Sequence, residues 1–279
     1  MIPSAFDYHR PTSVDEAIRL LGQGEDAKIL AGGHSLLPAM KLRLAQPKTI
    51  IDLGGIADLN YIREHEGQIA LGAMTTHFAI ESSDLLREKC PLLTELAPKI
   101  GDVQVRNRGT FGGSLVHADP ASDWPAAVLA LDAEFEIAGP NGRRTVRAGD
   151  FFVEMMQTAV QPSEILCEIR VPKTTKSVAY VKFAQKASGF AIAGVAALVN
   201  KPGRTAAIGV TGIAAKPYRA TSVEAALQGK SLTAELIRSA SAKTADQIEA
   251  LNDIHASGEF RAHLARVHCR RALELAMSR

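Results

Sequence analysis

The chain has 279 residues, of which 46% are hydrophobic and 22% charged, with a formal net charge of +2. This length and composition fit a soluble globular protein of two or three small domains, and the near-neutral charge excludes strong attraction to nucleic acid or anionic membrane. No apolar run reaches the roughly 18 residues of a spanning helix, and Met1–Asp7 lacks the basic-then-apolar pattern of a signal peptide.

The first fifty residues read as helix, strand, loop and strand. Ser13-Val14-Asp15-Glu16 spells a capping box, Ala17, Ile18, Leu20 and Leu21 supply an apolar face, and Gly22 and Gly24 end the helix. Lys28–Ala31 reads as a short buried strand running into Gly32-Gly33-His34-Ser35, and Thr49–Leu53 as a second strand. Further on, Gln68–Ala73 reads as a strand, and Thr76–Leu86 and Pro91–Ile100 as helices. Thr110–Ser114 reads as a loop, and a helix is expected from Asp123, its cap, to Leu131. Asn141-Gly142 predicts a hairpin turn between Glu134–Ala138 and Arg143–Arg147, and Ile165–Val171 completes this region as a strand. A boundary is expected near Pro172–Lys176. Three strands follow, at Ala179–Gln185, Ala191–Asn200 and Thr205–Ile213. Helices are expected at about 221–228 and 233–245, then at Glu259–Met277 with Phe260, Leu264, Val267 and Leu275 along one stripe. Strands followed by helices indicate an α+β domain.

Gly22-Gln23-Gly24-Glu25-Asp26-Ala27 matches the GxGxxA spelling of a dinucleotide fingerprint. It follows a helix and precedes a strand, the reverse of the context that motif needs, and Glu25 and Asp26 would repel phosphate. It reads as a helix-ending turn. Ala31-Gly32-Gly33-His34-Ser35 has the better context: it leaves a strand, its glycines allow close backbone approach, and successive amides can form an anion-binding nest. A simple tight turn is the alternative. Thr110-Phe111-Gly112-Gly113-Ser114 repeats the chemistry, so the two segments together could clamp the two phosphates of a dinucleotide. Asp119 and Asp123 follow; Asp123 reads as a helix cap, as an acceptor for a ribose or ribityl hydroxyl, or as both. Cys90, Cys167 and Cys269 are scattered, with no metal-ligand spacing, which fits small buried hydrophobes in a reducing cytoplasm and no cluster on this chain.

AGGHSLLPAMKLRLAQP at 31–47 and TFGGSLVHADPASDWPAAVLALDA at 110–133 resemble the flavoprotein, or medium, subunit of the molybdenum hydroxylases, the xanthine dehydrogenase and aerobic carbon monoxide dehydrogenase family. Thr76-His77, Tyr180-Val181-Lys182-Phe183 and the closing EFRAHLARVHCRRALELA extend the resemblance along the whole chain. It implies an α+β protein built on a two-subdomain FAD-binding fold: an N-terminal α/β subdomain at 1–57, a middle α+β subdomain at 58–174, and a C-terminal α+β domain at 175–279. It also implies site roles. Ile29, Leu30, Ala31, Gly32, Gly33, His34, Ser35 and Leu36 would line the pyrophosphate with Thr110, Gly112, Gly113 and Ser114. Asp123 would bind a cofactor hydroxyl, and Ile100 and Leu166 would pack near the flavin or adenine. Lys182 would approach the isoalloxazine, with Lys186 as competitor and a solvated surface lysine as alternative; His77 is a structural histidine or a flavin contact.

Two positions depart from the family pattern. Ser114 stands where an asparagine is usual, and Gly189 where an acidic residue is usual near the flavin's reactive edge; Phe190 would shield that edge or join the core. The function implied is electron transfer, from an iron–sulfur small subunit beside a molybdenum-cofactor large subunit to an external acceptor, with substrate chemistry on another chain. Two alternatives are a self-contained FAD oxidase, which substrate-dependent bleaching would reveal, and a stand-alone assembly or sensor protein that binds FAD weakly.

Overall fold

The computed structural model describes residues 2–24, 26–174 and 177–279. Three sheets follow one another along the chain. The first is parallel, in the order β1 (Asp7–His9), β3 (Thr49–Asp52), β2 (Ala27–Leu30), with α1 (Val14–Gln23) and α2 (Leu36–Lys41) as its crossovers. The α1 cap forms as expected: Ser13 Oγ accepts from Glu16 N at 3.2 Å, while the Glu16 carboxylate reaches back to Thr12 N. Gly22 lies within α1 and Gly24 ends it, so the GxGxxA spelling is a helix end; its Glu25 lies outside the described residues.

The second sheet is five-stranded and antiparallel, in the order β4 (Ile62–His65), β5 (Gln68–Gly72), β10 (Ile165–Pro172), β6 (Glu134–Gly139), β7 (Gly142–Arg147). Between β5 and β6 run six short helices: α3 (His77–Glu81), α4 (Asp84–Lys89), α5 (Pro91–Leu96), α6 (Val103–Arg108), α7 (Phe111–His117) and α8 (Trp124–Ala130). The helix expected at Thr76–Leu86 is therefore two, because Ser82 ends α3 and Ser83 Oγ caps α4 by accepting from Leu86 N. The hairpin turn also falls one residue earlier than its spelling: Gly139 pairs with Gly142, so Pro140-Asn141 makes the bend and Gly142 takes the positive φ of 105°. A short helix α9 (Ala148–Phe151) and the ribbon β8 (Phe152–Glu154) and β9 (Gln157–Thr158) precede β10.

The third sheet is antiparallel in sequence order, β11 (Val178–Ala184), β12 (Ala191–Asn200), β13 (Thr205–Thr211), β14 (Tyr218–Arg219), followed by α10 (Thr221–Leu227), α11 (Ala234–Ser241) and α12 (Gly258–Met277). Thr175 and Lys176, at the expected boundary, lie outside the described residues. Both faces of this sheet are covered. Val178, Tyr180 and Ala196 join the core of the second sheet, whereas Ala179, Val195 and Ala197 join the core under α10, α11 and α12. All seven residues of α8 are buried. Its backbone lies on β13, where a Cβ at Gly209 would stand 2.8 Å from the Ala126 carbonyl carbon and overlap its oxygen. The stripe expected on α12 is rotated: Phe260 and Leu275 are exposed, and the buried face is Arg261, Leu264, Ala265, His268, Cys269, Ala272, Leu273 and Ala276. Small residues carry this face because the helix lies close on the sheet, so the bulky apolar side chains are a poor guide to it.

Candidate cofactor-binding site

Ala31 follows β2 directly, at the carboxyl end of a parallel strand, where open α/β sheets present their ligand crevices. Half-buried Ile29 and Leu30 anchor the turn from the strand, and Leu36 opens α2 on its far side. Gly32 has no room for a side chain: a Cβ there would lie 2.8 Å from Gly109 Cα and overlap the Arg108 carbonyl. Gly33 has φ +77°, the left-handed region that glycine enters without strain. Among the described residues, the N–H groups of Gly32, Gly33, His34 and Ser35 donate to no protein acceptor. Ser35 sits at the start of α2 without making a side-chain cap, so its hydroxyl is unused as well. His34 bends back, and its Nδ1–H donates to the Gly32 carbonyl at 3.1 Å. Four free amides and a hydroxyl on one short turn form a donor set for an anion.

The second glycine segment works differently. Thr110–Ser114 is the start of α7, with Thr110 as N-cap, and its amides from Phe111 onward are already used. Phe111 N donates to Thr75 O, Gly112 N to Ala73 O, Gly113 N to Thr110 Oγ1 and Ser114 N to Thr110 O. Its glycines serve close packing: a Cβ at Gly112 would stand 2.9 Å from Ala73 Cα, and one at Gly113 would stand 3.2 Å from Ala31 Cβ. The expected loop of free amides is thus a helix start wedged under the first turn. Its contribution toward a ligand is the Thr110 hydroxyl proton, which stays free while the oxygen accepts from Gly113 N. Ser114 Oγ lies 2.9 Å from Ser122 Oγ, so the residue that departs from the family pattern has a partner inside the protein.

His77 supports this junction from behind. It is buried, its Nδ1 accepts from Trp124 Nε1 at 3.1 Å, and its Nε2 would lie 2.7 Å from a Cβ at Gly109. Burial pulls its pKa down to about 4, with the nearby positive charges of His34 and Arg106 adding to the effect, so the ring is neutral near pH 7.

Asp123 and Lys182 meet across the boundary between the second and third sheets. Asp123 stands at the N-cap of α8 but makes no cap bond; its oxygens accept from Tyr180 Oη and, at 2.8 Å, from Lys182 Nζ. Both side chains are only 5% exposed, so Lys182 is an interior ion-pair partner and not a solvated lysine. Lys182 Nζ also donates to Lys99 O at 2.7 Å, and Lys99 Nζ donates to Tyr180 O at 2.6 Å, a reciprocal clasp between the two units. Burial pushes the Asp123 carboxyl up, against the opposing pull of Lys182 and the Tyr180 hydroxyl. Lys186 is exposed.

Ile100 is half-buried beside Gly101, whose Cα would lie 3.8 Å from a Cβ at Gly189. The hairpin joining β11 to β12, with Phe190 exposed on it, therefore reaches the turn that carries Ile100. Leu166 is buried in the middle core opposite Ile137 on β6, in one cluster with Phe111 and Leu115 of α7. Three residues outside the expected set also shape the region. Arg106 pairs with Glu81 at 2.7 Å and donates to the carbonyls of Ile100 and Gly101; Gly109 separates His77 from Gly32; Tyr180 holds Asp123. The dipeptide Arg108-Gly109 before Thr110 is the one sequence signal that could have flagged Gly109.

The chain matches two family models along almost its whole length: FAD binding domain in molybdopterin dehydrogenase at residues 4–174, and CO dehydrogenase flavoprotein C-terminal domain at residues 178–276. It is 42% identical to the carbon monoxide dehydrogenase medium chain of Hydrogenophaga pseudoflava, covering 100% of this chain and 99% of that protein. It is 36% identical to the nicotine 6-hydroxylase medium subunit of Paenarthrobacter nicotinovorans, covering 96% of each. The solved structure of the carbon monoxide dehydrogenase from Hydrogenophaga pseudoflava, in the form that lacks the Mo-pyranopterin moiety, superposes with a TM-score of 0.96 at 43% identity, over 100% of this chain and 99% of that one. The chain belongs to the FAD-binding medium subunits of the molybdenum hydroxylases, the carbon monoxide dehydrogenase and xanthine dehydrogenase family.

Proposed function

We propose that the turn at 31–35 holds the FAD pyrophosphate and that the start of α7 closes on it from the other side. The observation that carries this reading is the unused donor set of Gly32, Gly33, His34 and Ser35, pressed through Gly32 against Arg108-Gly109 next to the free proton of Thr110. Amides in a glycine turn at a strand's carboxyl end suit a pyrophosphate, whereas the α7 amides do not, so Thr110, Gly112, Gly113 and Ser114 line the site by shape and hydroxyl. Gly101 and the hairpin bearing Phe190 bound the flavin end beside Ile100, and Leu166 backs the site from the middle core. Asp123 offers the ribityl chain an acceptor, and Lys182 holds that carboxylate in place from within. His77 acts as a neutral post behind Gly109.

FAD bound here would supply the redox chemistry of an electron carrier between an iron–sulfur small subunit and an external acceptor. This chain's residues hold and orient the cofactor; none is assigned acid–base work. In this family the medium subunit assembles with that small subunit and with a molybdenum-cofactor large subunit, as an oxidoreductase. Relatives named for carbon monoxide and for nicotine match nearly the whole chain, which supports placing substrate choice on another subunit. The subdomains 1–57 and 58–174 enclose FAD, with 175–279 behind them. Among the described residues no helix is long and apolar enough to cross a membrane, and with three buried free cysteines this supports a cytoplasmic protein. Titration of the purified full chain with FAD, followed by flavin absorbance and quenching, tests the reading. Saturable binding with FAD preferred over FMN is expected; equal weak binding of both would remove the pyrophosphate from the argument.

A further inference from the structure

Arg261 lies in the first turn of α12, far in sequence from every residue placed at the cofactor site, and is only 4% exposed. One nitrogen, Nη1, donates to two carbonyls, that of Ile192 at 3.0 Å and that of Gly212; Nη2 donates to Asp253 Oδ2 at 2.6 Å. The two carbonyls stand side by side because Gly212 has φ +81° and no side chain: a Cβ there would lie 2.8 Å from Ala191 O and 2.9 Å from the Ile192 carbonyl. Arg261 Nε finds no partner among the described residues. Burying a guanidinium with one nitrogen unpaired is unfavourable, so its bonds must fix something that the sheet alone does not hold.

The same two chain segments, at the start of β12 and the end of β13, grip the loop before α8. Gly212 N donates to Pro120 O at 2.8 Å and Ala191 N donates to Ala121 O at 3.0 Å. Thr211 Oγ1 directs its one proton between Ser122 O at 2.7 Å and Pro120 O at 3.0 Å. That loop carries Ser122, partner of Ser114, and leads into Asp123. On the other side, Ala191 begins β12 where the hairpin bearing Phe190 ends, and Gly189 of that hairpin approaches Gly101.

We propose that Arg261 is a positioning residue for the flavin: by clamping the Ile192 and Gly212 carbonyls together it sets both the 119–123 loop and the 185–190 hairpin against the cofactor. The inference rests on the cofactor site proposed above. It makes the C-terminal domain part of that site's geometry, through a residue that touches no cofactor. Lysine at this position keeps a cation near Asp253 but loses the fork that spans carbonyls and carboxylate, and methionine loses both.

The test compares the full chain with its Arg261→Lys and Arg261→Met variants in FAD titrations, with far-ultraviolet circular dichroism and melting as folding controls. Visible circular dichroism of the flavin at saturating FAD reports its surroundings, a signature that general destabilisation does not move. Arg270→Met, on the same helix but in a surface pair with Glu274, is the control. Arg261→Lys is expected to fold, bind FAD about tenfold more weakly, the scale of one charge-assisted hydrogen bond, and change the flavin signal; Arg261→Met loses more, or fails to fold and leaves the decision to the lysine variant. Arg270→Met should match the parent. A folded Arg261→Lys with the parent's affinity and flavin signal overturns the proposal, as does an equal loss in Arg270→Met. Failure of the parent chain itself to bind FAD is a separate outcome, and removes the site reading together with this one.

Discussion

Gly32 and Gly109 lie backbone to backbone, with 2.8 Å between the Gly109 Cα and the point where a Gly32 Cβ would stand. Nothing flexible can yield there, since the other neighbour is the Arg108 carbonyl group. Gly32→Ala should therefore open the junction between the first turn and α7, reducing FAD affinity by at least about a hundredfold and costing about 1–3 kcal/mol of stability through overpacking. Gly22→Ala is the matched control. It lies in α1 with nothing within 4 Å of the added carbon, and should stabilise by up to about 1 kcal/mol without changing FAD affinity. Flavin titration and urea unfolding read both. Loss of binding in the Gly22 variant would return the GxGxxA spelling to contention.

Lys182 and Asp123 should behave as one unit. Removing the cation in Lys182→Met leaves a carboxylate buried with the Tyr180 hydroxyl as its remaining side-chain donor, a loss of about 3–5 kcal/mol. Asp123→Asn on top of it should recover part of that loss, because the amide needs no counter-charge. Urea unfolding of the two single variants and the double variant forms the cycle. Additivity within about 0.5 kcal/mol would mean that the pair is not coupled.

The two glycine segments were legible as glycine segments, because their spelling and order are local. Their different roles were not. Whether an amide is free depends on what lies across from it: Ala73 and Thr75 accept from the α7 start, while among the described residues nothing accepts from Gly32–Ser35. The same limit hid the state of Lys182, since only the docking of the third sheet on α5 and α8 buries it against Asp123. Three of the four strands of the third sheet were readable from their apolar runs, down to the bounds of β12; the two-residue β14 was not. The α12 face was not, because alanines, Arg261 and His268 fill it in place of the bulky residues that mark an amphipathic stripe. Arg261, one of four arginines on α12, was not singled out, since an arginine on a helix reads as solvated until the fold buries it.

The three thiols should be inert in the native protein. Cys90, Cys167 and Cys269 are all buried, and burial pushes the Cys90 thiol up to about 12 and the Cys167 thiol up to about 11, so almost no thiolate is present at neutral pH. Labelling with a chromogenic disulfide should proceed only as fast as the protein opens, and should release three equivalents at once in denaturant. A thiol that reacts within seconds in the folded chain would contradict the packing of its core.

Acid should loosen the junction through His77. Its pKa is near 6.5 in the unfolded chain and about 4 in the folded one, so below the upper value the unfolded state binds the extra proton. Stability is then fully present above about pH 6.5, falls as pH drops toward about 4, and loses no more from this group below that. The linkage amounts to about 2 kcal/mol between pH 7 and pH 5. His77→Asn keeps an acceptor for Trp124 Nε1 but cannot take a proton in this range. The variant starts from lower stability, having lost ring volume, yet its unfolding free energy should vary less with pH over that interval by the same amount. Since Gly109 rests on this ring and Gly32 on Gly109, and the folded ring stays neutral until pH nears about 4, FAD affinity of the folded parent chain should hold over that interval and weaken only as pH approaches 4, and that of the variant should not follow it. Parallel pH profiles for the two proteins, in urea unfolding and in FAD titration, would show that His77 carries no proton linkage and that acid acts elsewhere.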